Sequence, residues 1–130
     1  MLKGLGVDLV YIPRIKKMIN RWEDKFLQRV YTDREIEYCR SYKKEADSFA
    51  VRFAAKEAIL KMLGTGLSGG VSWREMEILS SEQGQPSVNL TGEVLNTATA
   101  MQINKIYISL SHENDYALAQ VMGTAGRTGE

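Results

Sequence analysis

The chain has 130 residues, 44% of them hydrophobic and 25% charged, with a formal net charge of +1. That length supports one domain over residues 1–130 with a real core, and the near-neutral balance excludes a general nucleic-acid binder, which is usually basic throughout. Cys39 has no partner for an internal disulfide, the one histidine leaves no Cys/His zinc set, and no apolar run approaches a membrane span. Asp8 interrupts the apolar stretch that a secretory signal would need. The expectation is a cytoplasmic chain with neither nucleic acid nor membrane as partner.

Leu2 to Val10 reads as a first strand, with Gly4 and Gly6 permitting close backbone approach. Pro13 suits the first turn of a helix running to about Trp22. Arg14, Met18, Arg21 and Lys25 recur at the spacing of one helical face, for which a solvated face is the ordinary explanation. Thr32, with Glu35 three residues on, forms a capping box that opens a short helix through Tyr38 and Cys39. A longer helix from about Lys44 to Leu63 stops at Gly64-Thr65-Gly66, and a glycine-rich loop continues to Gly70. Ser72 to Leu79 reads as a strand, Gln83 to Pro86 as a turn, Ser87 to Leu90 as a short strand, and Thr91-Gly92-Glu93 as the start of a helix to about Met101. Ile106, Ile108 and Leu110 alternate with Tyr107, Ser109 and Ser111, and Tyr116 to Met122 returns as the second arm of a hairpin. Residues 123–130 are Gly/Thr-rich and expected to form a loose tail. The expected fold is α+β, with helices packed on a mostly antiparallel sheet.

Charge is unevenly spread. Residues 1–30 hold seven Lys/Arg against three acids, whereas the remaining hundred hold ten against thirteen. A basic N-terminal quarter on a near-neutral chain points to an acidic partner at one patch.

Three polar residues stand where apolar ones are expected. Asp8 ends an apolar strand. On a helical wheel Ala50, Phe53, Ala54 and Leu60 lie within roughly 60° of Glu57, placing a carboxylate in the apolar arc, where it is costly unless paired or bound to a metal. Lys61 leans the same way one turn on, and Arg52 and Lys56 form a second cationic pair on another flank. His112 shares the parity of Ile106, Ile108 and Leu110 and so starts on the core side of its strand. Each has an ordinary explanation: Glu57 and Lys61 as an i,i+4 ion pair, Asp8 as a helix cap, His112 as a hydrogen-bonded core residue. Together they are harder to dismiss. Two carboxylates on separate elements suit Mg²⁺, which keeps waters and substrate phosphates as its other ligands. Lys61 and the Gly64-Thr65-Gly66 loop can face such phosphates, although no Walker A sequence is present.

The chain resembles the bacterial holo-acyl-carrier-protein synthases, the small phosphopantetheinyl transferases. The likeness rests on Gly4-Leu5-Gly6-Val7-Asp8-Leu9-Val10 with Arg14-Ile15, Tyr31-Thr32 with Glu35-Ile36 and Tyr38-Cys39, and Arg52-Phe53-Ala54-Ala55-Lys56-Glu57-Ala58. It continues through Gly64-Thr65-Gly66, Gly84-Gln85-Pro86, and Ser109-Leu110-Ser111-His112 with Tyr116-Ala117. The resemblance implies Mg²⁺-dependent transfer of phosphopantetheine from coenzyme A to a serine of an acyl carrier protein, releasing adenosine 3′,5′-bisphosphate. It implies that Asp8 and Glu57 hold Mg²⁺ and that Lys61 lies by the diphosphate. Arg52 and His112 would hold the nucleotide end, and Arg14 and Arg21 would dock the acidic carrier protein, with Met18 and Lys25 on the same stripe. It also implies a homotrimer with each site at a subunit interface. Members of the family often carry an acid where this chain has Tyr11. The serine proton would go to Glu57 or to a water oriented by Asp8. A Mg²⁺-dependent nucleotide hydrolase would use the same carboxylates without a docking stripe, and a noncatalytic oligomeric module would need neither metal nor the Glu57 anomaly.

Overall fold

The computed structural model describes residues 1–68 and 70–126. The elements run β1 (Leu2–Tyr11), α1 (Ile12–Trp22), α2 (Asp24–Val30), α3 (Asp33–Arg40), α4 (Glu45–Leu63), a 3-10 turn (Trp73–Glu75), β2 (Met76–Ser80), β3 (Pro86–Leu90), α5 (Gly92–Ala100), β4 (Lys105–Glu113) and β5 (Tyr116–Thr124). They form the expected α+β arrangement, with two antiparallel sheets, β1-β5-β4 and β2-β3.

Helix α4 lies across the inner face of the three-stranded sheet. Phe49, Ala50, Ala54, Ala55, Ala58 and Ile59 are fully buried. Strand alternation turns Gly6, Asp8 and Val10 of β1 toward this helix and Leu5, Val7, Leu9 and Tyr11 away. Gly6 is required by the approach: a Cβ there would collide with the carbonyl oxygen of Ala58. The polar residue two positions further, Asp8, is thereby carried to the flank of α4.

Local signals explain most boundaries. Pro13 occupies the first turn of α1, both arms of the Thr32–Glu35 capping box form, and Gly64 ends α4 in the left-handed conformation at φ 75°. Three expectations need correction. The basic stripe does not lie on one helix, because Glu23 at φ 46° ends α1 and a separate α2 carries Lys25. The strand expected from Ser72 begins only at Met76. Ser72 caps a 3-10 turn by accepting from the Arg74 N–H while its own N–H donates to Glu75. The expected tail begins later, since Gly123 and Thr124 belong to β5 and pair with both neighbouring strands. A Cβ on Gly123 would lie 2.9 Å from the Met62 sulfur. Residues 127–130 of that expected tail lie outside the described residues.

The other face of the three-stranded sheet is apolar and bare. Leu5, Val7, Leu9, Tyr11, Tyr116, Leu118, Met122 and Tyr107 are all exposed. Leu5 faces Met122, Leu9 faces Leu118, and Tyr11 faces Tyr116 with ring centroids 5.5 Å apart. Among the described residues no helix is long and apolar enough to cross a membrane.

Candidate active site

Strand β1 and helix α4 bring Asp8, Glu57 and Lys61 together. The Lys61 ammonium donates to Asp8 Oδ1 at 2.9 Å and to the Val7 carbonyl at 3.3 Å. Its partner is therefore the carboxylate on the neighbouring strand rather than Glu57 four residues back. Asp8 does not cap α1, whose N-cap is Tyr11. Glu57 is half-buried; burial first, then the nearby Asp8 charge, pushes its carboxyl above the usual glutamate value, against Lys61 and Arg14. The Asp8 hydrogen bond and charge push the Lys61 ammonium up in turn. Arg14, exposed on α1, is thus close enough for its charge to act on Glu57.

The donor set fits a hard divalent cation. Two carboxylates meet beside a cation that one of them already holds, so the position favours positive charge. Among the described residues no cluster of three or more His, Cys, Asp or Glu forms a cage. The two carboxylates, Asp8 and Glu57, are the donor type Mg²⁺ takes, one or two of them with positions left for water and phosphate oxygens.

The fully buried charge on α4 is not Glu57 but its neighbour. Lys56 is sealed and donates to the Val30 carbonyl (2.6 Å), Glu35 Oε1 (2.6 Å) and the Trp73 carbonyl (3.2 Å). Glu35 is equally sealed and also accepts from the Thr32 and Ile78 N–H groups. The wheel misplaced the anomaly because α4 is buried on nearly every side, and the strip left partly open is the one holding Phe53, Glu57 and Lys61.

Arg52 and Lys56 do not act as a pair. Arg52 is buried, donates to Ser48 Oγ (3.0 Å) and Ser80 Oγ (3.1 Å), and stacks over Tyr38 at 4.4 Å from the ring centre. Among the described residues its Nε has no hydrogen-bond partner. His112 keeps its predicted parity, but β4 overruns the core there. The ring is exposed, with Nδ1 4.0 Å from Asp47. Arg52 and His112 thus both meet the first turn of α4, at Ser48 and Asp47, while Glu57 and Lys61 lie further along it. Gly64 and Thr65 sit at the helix end, where Thr65 Oγ1 donates to the Gly66 carbonyl. Neither is bonded to the carboxylates. Tyr11 packs on Tyr116 on the outer sheet face, opposite to Asp8, so position 11 adds nothing to the carboxylate pair.

A cleft of about 880 Å³ between β3, α5 and the N-terminus touches none of these residues. A cleft of about 480 Å³ at the β4–β5 hairpin includes His112 with Leu9, Ser111 and Tyr116. It opens on the bare apolar face. Arg14, Met18 and Arg21 of α1 and Lys25 of α2 are exposed.

The sequence reading missed α2 and the Lys56–Glu35 pair. The second had a signal: Phe49, Ala50, Val51, Phe53, Ala54, Ala55, Ala58 and Ile59 leave no polar side to the helix, so any charge among them needed a partner.

Comparison with known proteins accords with this geometry. The family model of the 4′-phosphopantetheinyl transferase superfamily matches residues 4–121. A holo-acyl-carrier-protein synthase of Geotalea daltonii is 47% identical over 122 residues, covering 94% of this chain and 98% of that one. The crystal structure of the Neisseria meningitidis holo-acyl-carrier-protein synthase superposes with a TM-score of 0.86 at 31% identity, over 95% of this chain and 99% of that one. The Helicobacter pylori synthase, solved in complex with coenzyme A, superposes with a TM-score of 0.81 at 32% identity, over 92% and 99%.

Proposed function

The chain belongs to the 4′-phosphopantetheinyl transferase superfamily, among its holo-acyl-carrier-protein synthases, and on that premise we propose that it moves phosphopantetheine from coenzyme A to a serine of an apo acyl carrier protein with Mg²⁺ held by Asp8 and Glu57. The observation that carries the site assignment is the meeting of Asp8, Glu57 and Lys61 where β1 crosses α4. In the reaction the serine Oγ forms a bond to the phosphorus that bears the pantetheine. The bond from that phosphorus to the bridging oxygen breaks, and adenosine 3′,5′-bisphosphate leaves with the bond electrons. Bound at Asp8 and Glu57, Mg²⁺ would supply neutralisation of charge on the diphosphate. Lys61 would add the positive charge of its ammonium to that neutralisation, on the leaving side. The serine proton goes to Glu57 or to a water oriented by Asp8.

Arg52 and His112 hold the nucleotide end from the first turn of α4. Gly64 and Thr65 flank the phosphates. Arg14, Met18, Arg21 and Lys25 receive the acidic carrier protein, and Arg14 links that surface to Glu57 electrostatically. The chain works as a homotrimer in the cytoplasm. The bare face of Leu5, Leu9, Tyr11, Leu118 and Met122 supports assembly, since soluble monomers rarely leave so continuous an apolar patch uncovered. The hairpin cleft with His112 opens on that face, so a neighbouring copy would complete it.

The test is the intact mass of an apo acyl carrier protein after incubation with this chain, coenzyme A and Mg²⁺. A gain of one phosphopantetheine group, abolished by excess chelator, is expected. Breakdown of coenzyme A with no change in the carrier protein would make the chain a hydrolase instead.

A further inference from the structure

We propose that Lys56 is a positioning residue, fixing the rotation and height of α4 so that Glu57 and Lys61 meet Asp8; this rests on the reading of Asp8 and Glu57 as the metal-holding pair. Helix α4 is buried on nearly all sides against apolar neighbours that include Tyr31 and Trp73. Apolar burial is non-directional, so buried area alone leaves the helix some freedom of rotation within what close packing allows. Lys56 removes that freedom. Its ammonium has three protons and meets three acceptors from three separate places: the end of α2 at Val30, Glu35 in the first turn of α3, and the 3-10 turn at Trp73.

Glu35 is tied just as fully, by the Thr32 and Ile78 N–H groups as well as by Lys56. Any turn or slide of α4 would leave a buried ammonium and a buried carboxylate short of partners. Close packing restricts the helix as well, and the buried pair adds a directional limit on top of it. Glu57 follows directly in sequence and Lys61 five residues on, so the geometry of both is inherited from this anchor. The opposite wall is set by Gly6, which brings β1 and Asp8 against the same helix.

The test compares the full-length chain with Lys56→Met and with the double variant Lys56→Met/Glu35→Gln, in which neither buried charge remains. Mn²⁺ binding in the presence of coenzyme A and absence of carrier protein is followed by electron paramagnetic resonance, and kcat and KM for the carrier protein are measured separately. The double variant is expected to keep the native far-UV spectrum, to bind Mn²⁺ at least threefold more weakly, and to lose kcat with KM for the carrier protein nearly unchanged. Mn²⁺ affinity within threefold of the native value would overturn the proposal. So would a double variant that fails to fold, because the pair would then be a requirement of folding rather than of position. Glu57→Gln run alongside separates the two readings. Unchanged Mn²⁺ binding there removes the metal assignment and the proposal with it, whereas a loss there beside native binding in the double variant removes only the proposal.

Discussion

Two charged clusters share helix α4, one residue apart, and they differ in almost every physical respect. Lys56 and Glu35 are sealed from solvent, with each donor and acceptor matched. Asp8, Glu57 and Lys61 are open: the Lys61 side chain is 56% exposed and Glu57 is only half-buried. The closed cluster has no coordination left to offer a ligand. The open one has carboxylate oxygens to spare and a carboxyl whose proton affinity is raised. Residue type alone does not separate structure from chemistry here. Free coordination does.

Breaking the closed cluster should give the largest effect on stability. Lys56→Met leaves Glu35 charged and unpaired in the core and should cost about 3–5 kcal/mol, read as a lower urea midpoint. Gly6→Ala attacks the junction between the clusters by forcing β1 away from the Ala58 carbonyl. It should cost roughly 1–3 kcal/mol and reduce transfer in the molecules that still fold. Lys61→Met touches only the open cluster. Transfer should fall on the order of 100-fold, while thermal unfolding barely moves. Arg14→Glu lies one step further out, on the proposed docking surface. It should lower kcat/KM for the carrier protein on the order of tenfold with little change for coenzyme A, and added salt should mimic it in the native chain.

The smallest effect sharpens the comparison through pH. The folded chain holds the Glu57 proton to higher pH than the unfolded chain does, so the stability from this group is present below the ordinary glutamate value. It is lost as pH rises through the raised folded value. In chelator, Glu57→Gln should therefore unfold later than the native chain at neutral pH, and the gap should close in acid. A constant gap would mean that Glu57 carries no such penalty.

Much of this was legible in the residues. The capping box at Thr32, the C-cap at Gly64 and the alternation of β4 are local patterns, and local physics decides them. Asp8 and Glu57 could be paired because each broke an apolar pattern. What failed was anything needing long-range placement. The wheel presumes one broad solvent side, and α4 has only the narrow strip at Phe53, Glu57 and Lys61, so the wheel puts Lys56 on an outer flank. Parity gave His112 the right direction but not the length of the core, which ends before it. The break at Glu23 carries no glycine or proline to announce it, so Lys25 was assigned to the wrong helix.

The central claim is that the open cluster performs the transfer and the closed one holds the frame. Its most direct test is one pair of matched substitutions, Glu57→Gln and Glu35→Gln, each followed by intact mass of the carrier protein and by urea unfolding. The prediction is that Glu57→Gln gives no phosphopantetheine-sized gain while unfolding at or above the native midpoint, whereas Glu35→Gln unfolds well below it. Transfer by Glu57→Gln at the native rate, or a native midpoint for Glu35→Gln, would contradict the account.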